Sequence, residues 1–196
     1  MLKKHFFASF FVIASILLFT NCKPDSKSIN KEYKFYNLQQ QGWKSKRVNK
    51  FVDDINYTAT EVPLQYYILK NNQDNPQIVD SLYTVNNKER VIEIEFEHSE
   101  QNGLLKQEFT NKSYEDAVKY MAFTIEQDFT VVTSSNDTIK CSGVNFERNF
   151  KVAPFKRVLL YFNNINPDDT VKLIYQDQLF GNGTMEFNFD EIPIKL

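Results

Sequence analysis

Apolar and polar residues alternate along several short stretches of the chain, and this alternation predicts a domain built mainly from β-strands. The clearest stretch runs from Val91 to His98 and reads VIEIEFEH. Side chains of a strand point alternately to its two faces, so the apolar residues between the glutamates are expected to face a core. The last such stretch places Met185, Phe187 and Phe189 on one face.

Other stretches have the β-branched and aromatic content, or the period of two, that is typical of strands. Two of them flank the polar sequence Ser134–Asp137, which predicts a hairpin turn, and Gly181–Gly183 predicts another turn. The further predicted strands are Tyr33–Tyr36, Ile55–Thr60, Leu64–Leu69, Phe129–Thr133, Thr138–Phe146, Val158–Phe162, Val171–Tyr175 and Thr184–Phe189.

Two helices are predicted between the strands. Ser113 is an N-cap candidate with an acidic residue three positions later, and Tyr114, Ala117, Val118 and Met121 form an apolar stripe that ends near residue 122. The second helix is predicted from Pro76 to Val85, with Ile78, Leu82 and Val85 as its stripe. Lys44–Phe51 is compatible with a short helix or a loop.

Many short strands with few helices predict a single antiparallel β domain over residues 32–196. We expect a β-sandwich, immunoglobulin-like or related, with one or two short helices. The Cys…Trp…Cys pattern of antibody domains does not occur in the chain, so the expectation concerns architecture alone.

The first residues of the chain have the pattern of a secretory signal. Lys3 and Lys4 precede the 14-residue apolar run FFASFFVIASILLF, from Phe6 to Phe19. This run is shorter than the about 20 residues that a transmembrane helix needs. Residues 1–21 are therefore predicted to be a leader.

A cysteine follows the apolar run directly. The segment Leu18–Cys22, LFTNC, resembles the lipobox of bacterial lipoproteins and is similar to the relaxed form in Bacteroidota, with Phe19 and Asn21 at positions that usually hold Leu and a small residue. The resemblance implies that Cys22 is lipidated, with palmitate among its acyl chains, and becomes the mature N-terminus. Two or three acyl chains bind a membrane stably, so the membrane is the first expected partner.

Residues 22–31 are polar and are predicted to be a lipidated tether. Lys23 and Lys27 surround Asp25, which differs from the acidic stretch that, by the same resemblance, directs lipoproteins to the cell surface. We expect an outer-membrane protein that faces the periplasm, with the cell surface as the alternative.

The charge of the chain argues against a nucleic-acid partner. The formal charge is −2, and loss of Lys3 and Lys4 with the leader makes it −4. A mildly acidic chain without a basic run lacks the electrostatic footprint of a nucleic-acid-binding protein.

Few residues point to chemistry, and each has a simpler interpretation. His98 is the only histidine after the leader, and a solvent-facing or edge position is expected for it. Glu93, Glu95 and Glu97 share one strand face, which is compatible with Ca²⁺ or acid–base chemistry but is better explained as a solvated face. No catalytic residue, metal site or cofactor is therefore predicted.

Three further features also have a structural explanation. With Cys22 lipidated, Cys141 has no disulfide partner and is expected in or near the core. Asp168 and Asp169 lie in an acidic stretch that is typical of a plain turn. The segment Glu147–Arg157 mixes cations with aromatic residues, and a connection between two sheets is favoured over a partner-contacting crossover.

The resemblance to Bacteroidota proteins also implies candidate O-glycosylation sites. The motif in that phylum is Asp, then Ser or Thr, then an apolar residue. It occurs at Ser81, Thr138 and Thr170, each next to a predicted turn or element end, where a sugar is tolerated.

Taken together, the sequence predicts a lipid-anchored cell-envelope protein that acts as a non-enzymatic binding or assembly module, with an envelope protein as a partner. Two alternatives stay open. One is a periplasmic carrier of a small or lipidic ligand in the aromatic-rich core. The other is a hydrolase with an unrecognised site around His98.

Overall fold

A computed structural model of the chain describes residues 46–72, 78–100, 103–148 and 153–192. The predicted leader, Cys22, the tether and the predicted strand Tyr33–Tyr36 lie outside the described residues. No helix within the described ranges is long and apolar enough to cross a membrane.

Nine strands in the described part of the chain form two antiparallel sheets, as the sequence predicted. One sheet has five strands in the order β1-β2-β3-β7-β6, and the other has four in the order β5-β4-β8-β9. The strands are β1 Lys46–Val52, β2 Ile55–Val62, β3 Arg90–His98, β4 Phe129–Thr133, β5 Thr138–Lys140, β6 Gly143–Glu147, β7 Lys156–Phe162, β8 Val171–Asp177 and β9 Gly183–Phe189.

Aromatic rings from the two sheets meet between them. Tyr175 of the four-stranded sheet lies 6.1 Å from Tyr57 and 5.9 Å from Phe96 of the five-stranded sheet, measured between ring centroids. Phe129 stacks on Tyr175 at 4.4 Å. The predicted inward faces of β3 and β9 are confirmed, since their apolar residues belong to this common core.

The chain changes sheets at two adjacent residues. Cys141 N–H donates to the carbonyl of Phe129 at 3.2 Å, whereas Ser142 N–H donates to the carbonyl of Tyr161 at 2.8 Å. The predicted strand Thr138–Phe146 is therefore two strands in different sheets. The Glu147–Arg157 segment, predicted to connect two sheets, instead joins β6 to β7, which pair in one sheet.

Two segments have a different secondary structure from the one predicted. Lys44–Phe51 was expected to be a helix or a loop, but residues from Lys46 onward form the edge strand β1, paired with β2. Leu64–Leu69 was expected to be a strand, but it begins helix α1, whose Tyr67 packs with Val91 and Leu159 on the outer face of the sheet.

Four α-helices occur in the described part of the chain, more than the one or two expected. The helix predicted after Ser113 is confirmed, since the Ser113 hydroxyl accepts from Asp116 N–H at 3.1 Å. It continues beyond residue 122 through a π-helical turn, Tyr120–Thr124, and a 3₁₀ turn, Ile125–Asp128. The α-helices are α1 Leu64–Asn71, α2 Val79–Asn86, α3 Gln107–Thr110 and α4 Tyr114–Lys119.

Two predicted apolar stripes are only partly correct. In α4, Ala117 is buried, whereas Tyr114 is 63% exposed. In α2, Val85 is 80% exposed and the buried residue is Val79, which the predicted stripe did not include. Both helices are short, so one turn of contact decides which residues are covered.

The predicted solvated face of β3 is wrong for Glu93 and Glu95. The Tyr67 hydroxyl of α1 donates to Glu93, and Arg157 Nε donates to Glu95 at 2.9 Å. Only 19% of the Glu93 side chain and 15% of the Glu95 side chain are exposed. Helix α1 covers this end of the sheet face, which alternation within one strand does not reveal.

A buried carboxylate joins the two sheets. Asp177, at the end of β8, accepts a hydrogen bond from Tyr57 at 2.8 Å and another from Tyr175 at 2.9 Å. It also accepts from the backbone N–H groups of Leu179, Phe180 and Asn182. Burial and the neighbouring Asp177 raise the pKa of the Tyr57 hydroxyl above its ordinary value.

We expect Asp177→Asn to destabilise the protein by about 3 kcal/mol, because an amide NH₂ would face donors that need an acceptor. Tyr57→Phe should cost less, about 1–2 kcal/mol, because it leaves the carboxylate and the other donors in place. Urea unfolding of the full-length protein in a non-ionic detergent, followed by circular dichroism, measures both. An Asp177→Asn protein as stable as wild type would show that the network is not needed.

Candidate functional site: a polar cleft at one end of the sandwich

An open cleft of about 300 Å³ lies at the end of the sandwich where β4 and β7 end and β3 begins. We call it the polar cleft, because every residue that lines it has a polar side chain. The lining residues are Lys88, Thr133, Ser135, Asp137, Asn164, Asn166 and Asp169. They come from the β4–β5 turn, the β7–β8 loop and the segment before β3.

The β4–β5 turn forms one wall of the polar cleft. Thr133 N–H donates to the carbonyl of Asp137 at 3.0 Å, and Asp137 N–H donates to the Thr133 hydroxyl at 3.2 Å. Asn136 has a left-handed backbone with φ 66°, which Asn adopts more readily than most residues. These contacts close the turn and leave Ser135 and Asp137 exposed.

The β7–β8 loop, residues 163–170, forms the opposite wall, which we call the loop wall. Its Ile165 side chain is fully buried in the core, and Ile165 N–H donates to the carbonyl of Lys88 at 2.9 Å. Asp168 N–H donates to the side-chain oxygen of Asn166 at 3.1 Å, a local turn of the kind Asn favours. The loop therefore has a defined shape.

Asp169 joins the two walls. One of its carboxylate oxygens accepts from the hydroxyls of Ser134 at 2.6 Å and Ser135 at 2.8 Å. These hydrogen bonds, aided by the charge of Arg90, lower the pKa of the Asp169 carboxyl. The carboxylate is ionised at neutral pH and is a weak base.

Arg90 supports the loop wall from behind. It is the first residue of β3 and is 7% exposed. Its Nη2 donates to the backbone carbonyls of Asn166 at 3.0 Å, Pro167 at 2.9 Å and Asp169 at 3.2 Å. One buried guanidinium therefore binds three carbonyls of one loop.

Glu61 lies beside Arg90 and is 2% exposed. Its Oε1 is 3.6 Å from Arg90 Nη1, and neither carboxylate oxygen has a hydrogen-bond partner among the described residues. Burial raises the pKa of Glu61 to about 7, although Arg90 and Lys46 act in the opposite direction. Desolvation of the charge outweighs attraction by the two cations.

The three candidate glycosylation residues lie around this end of the sandwich. Thr138 is exposed at the start of β5, and the carbonyl of the half-buried Thr170 accepts from Ser134 N–H at 2.9 Å. Ser81 is exposed on α2, and Tyr83 of the same helix lines a smaller cavity together with Arg90 and Pro167. Their modification stays a prediction.

The sequence predicted a solvent-facing or edge position for His98, but the structure places the residue elsewhere. It is 7% exposed and ends β3, the middle strand of its sheet. Its ring lies 4.5 Å from that of Phe109, between centroids, and Nδ1 accepts from Glu100 N–H at 3.2 Å. The prediction was wrong because His98 continues the inward face of β3 and α3 covers it.

Cys141 and the glycine-containing turn do not contribute to a catalytic group among the described residues. Cys141 is half-buried against the core, and burial raises the pKa of its thiol. Gly181 and Gly183 have positive φ angles and form the predicted turn between β8 and β9. Among the described residues, no group of three or more His, Cys, Asp or Glu is arranged to hold a metal ion.

The sequence interpretation of Asp168 and Asp169 as a plain turn missed the polar cleft. The turn is present, but it packs against a second turn more than 30 residues earlier through Asp169 and Ser134. The three Asn residues at positions 163, 164 and 166 indicate a loop, in which Asn164 has a left-handed backbone with φ 65°. Nothing in these residues indicates which other loop it meets.

The raised pKa of Glu61 predicts a stability that depends on pH. Between pH 4.5 and about 7 the folded protein keeps a proton that the unfolded chain loses, so the free energy of unfolding falls as the pH rises. In Glu61→Gln this contribution is absent. The difference in unfolding free energy between Glu61→Gln and wild type should therefore rise by about 3 kcal/mol across this interval.

Urea unfolding at a series of pH values measures that difference. Asp128→Asn is a matched control, because burial raises the pKa of Asp128 to about 6. The difference in unfolding free energy between Asp128→Asn and wild type should therefore change over a lower interval of pH. A difference between Glu61→Gln and wild type that stays constant with pH would contradict the prediction.

No protein-family model and no curated protein sequence matches the chain. A DUF4426 family protein from Pseudomonas aeruginosa, known from a crystal structure, is similar with a TM-score of 0.40 and 12% sequence identity. The match covers 76% of this chain and 97% of that chain. A likeness this weak carries no inference about function.

Proposed function

We propose that this chain is a lipid-anchored cell-envelope protein whose β domain binds a small polar ligand in the polar cleft without catalysing its conversion. The observation that carries the proposal is the cleft itself. Two turns form its walls, Asp169 joins them, and Arg90 fixes the loop wall from behind. Because the walls are preformed, the protein loses less conformational entropy when a ligand binds.

Several polar groups of the cleft are available to a ligand. The side chains of Lys88, Asp137 and Asn164 make no hydrogen bond or ion pair with another described residue. They offer an ammonium donor, a carboxylate acceptor and an amide that is both. This set suits a ligand with donors and acceptors on a small framework, as sugars and amino acids have.

Binding explains the cleft better than catalysis does. A serine nucleophile needs an adjacent base, and the group that accepts from Ser135 is Asp169. The pKa of Asp169 is lowered, so this carboxylate holds the hydroxyl in place without removing its proton. The hydrolase alternative around His98 is disfavoured by the contact of its ring with Phe109.

A ligand carrier with its site between the sheets is also less favoured. Tyr57, Phe96, Phe129 and Tyr175 are at most 1% exposed and contact one another across the core. An assembly role alongside binding would use exposed aromatic side chains, of which Tyr114 is 63% and Phe123 is 73% exposed.

The membrane anchor is supported by the leader and by the Cys22 that follows it. We expect Cys22→Ser to lose metabolic labelling by palmitate and to leave the outer-membrane fraction. Cys141→Ser is the matched control and should keep both, because Cys141 belongs to the folded domain. Equal labelling of Cys22→Ser and wild type would exclude lipidation at Cys22.

Screening of the full-length protein in detergent against a panel of sugars, polyols and amino acids at millimolar concentration tests the polar cleft. A ligand should raise the melting temperature, and Asp137→Asn or Asn164→Ala should weaken its binding by about tenfold, near 1.4 kcal/mol for one lost hydrogen bond to a charged or buried group. Asn188→Ala is the control, since Asn188 is exposed on β9 and outside the cleft. A ligand that binds all variants equally would place the site elsewhere.

A further inference from the structure

Glu61 stands out among the buried charged groups because its carboxylate has no hydrogen bond within the described residues. Register places it on the inward face of β2, opposite Lys46 on one side and Ile92 on the other. An ionised carboxylate in such a place is costly unless donors approach it. A proton on the carboxylate removes that cost.

Arg90 lies beside Glu61 and also binds the loop wall. Nη1 is 3.6 Å from Glu61 Oε1, longer than the about 2.8 Å of a charge-assisted hydrogen bond. Nη2 of the same guanidinium binds the three loop carbonyls at 2.9–3.2 Å. The guanidinium is planar and rigid, so a movement of Nη1 also moves Nη2.

We propose that ionisation of Glu61 draws Arg90 away from the carbonyls of the loop wall, so that the protonation state of Glu61 sets the shape of the polar cleft. With Glu61 neutral, Arg90 stays on the three carbonyls and residues 163–170 keep the arrangement described above. With Glu61 ionised, the hydrogen bond to Arg90 forms and the loop loosens. The coupling between Glu61 and the loop does not depend on the proposed function, whereas an effect on ligand affinity rests on it.

Other charged groups face this pair and set the range of pH. Burial holds the pKa of Glu61 near neutrality against the attraction of two cations, which suits a device that responds around that pH. Lys46 is itself paired with Glu191, which limits the help that it gives to Glu61. The groups that face Glu61 and Arg90 are Lys46 of β1, Glu191 after β9, Tyr83 of α2, and Asp168 and Asp169 of the loop wall.

Nuclear magnetic resonance of the full-length protein in detergent tests the coupling. In wild type, the amide signals of residues 164–166 and 168–170 should shift with pH around one midpoint near neutrality, and the ¹³C signal of the Glu61 carboxyl should shift around the same midpoint. In Glu61→Gln the pH-dependent shift of the loop amide signals should be absent. Glu95→Gln is the matched control, because Glu95 pairs with Arg157 on the opposite face of the same sheet, and it should keep the midpoint.

Two results would overturn the coupling. The first is a pH-dependent shift of the loop amide signals that persists in Glu61→Gln. The second is a Glu61 carboxyl signal in wild type whose midpoint differs from that of the loop amides. The second result is measured on wild type alone, so it does not depend on the folding of a variant. A ligand found in the panel should change its affinity at least threefold across the midpoint in wild type and stay constant in Glu61→Gln. If the loop titrates as expected but no panel member binds in the cleft, the proposed function fails and the coupling stands.

Discussion

A charged group between the two sheets must find its hydrogen bonds there, and the rest of this structure depends on how that constraint is met. At one end of the sandwich Asp177 meets it completely. The carboxylate accepts from Tyr57 of one sheet, Tyr175 of the other and the backbone of the β8–β9 turn. Tyr57 in turn accepts from the Asn182 side chain at 2.8 Å, so the turn is tied to both sheets. This end is held by fully satisfied polar groups.

The opposite end meets the same constraint only in part. Arg90 is well bonded on its Nη2 side, but Glu61 beside it lacks a hydrogen bond among the described residues. The contacts run in sequence from Glu61 through Arg90 to the loop wall, and from Asp169 of that wall to Ser134 and Ser135. The buried Glu61–Arg90 pair, in which Glu61 has no hydrogen bond among the described residues, therefore lies behind the loop wall of the polar cleft.

Local patterns predicted the strands well and the contacts between elements poorly. The inward face of β3 and the hairpin turn after β4 agree with the sequence, because each depends on neighbours along one strand. Glu93 and His98 differ, because what covers them comes from α1 and α3. Leu64–Asn71 differs for another reason. A short apolar run is compatible with either a strand or a helix, and packing against the outer face of the sheet decided for the helix.

The sequence by itself determined the antiparallel β class, the turn at Asn166–Thr170 and the cap of α4, since each of these is encoded by residues close together in the chain. The leader with its cysteine stays a prediction. Only the tertiary structure decided that the β4–β5 turn meets the β7–β8 loop, that Cys141 and Ser142 bond to different sheets, and that Glu61 lies against Arg90. Strand pairing and sheet packing bring these groups together from distant parts of the chain. The periodicity of the sequence indicates the face on which a side chain lies but not the residue that it contacts. The polar cleft depends on contacts between residues that are distant in the chain.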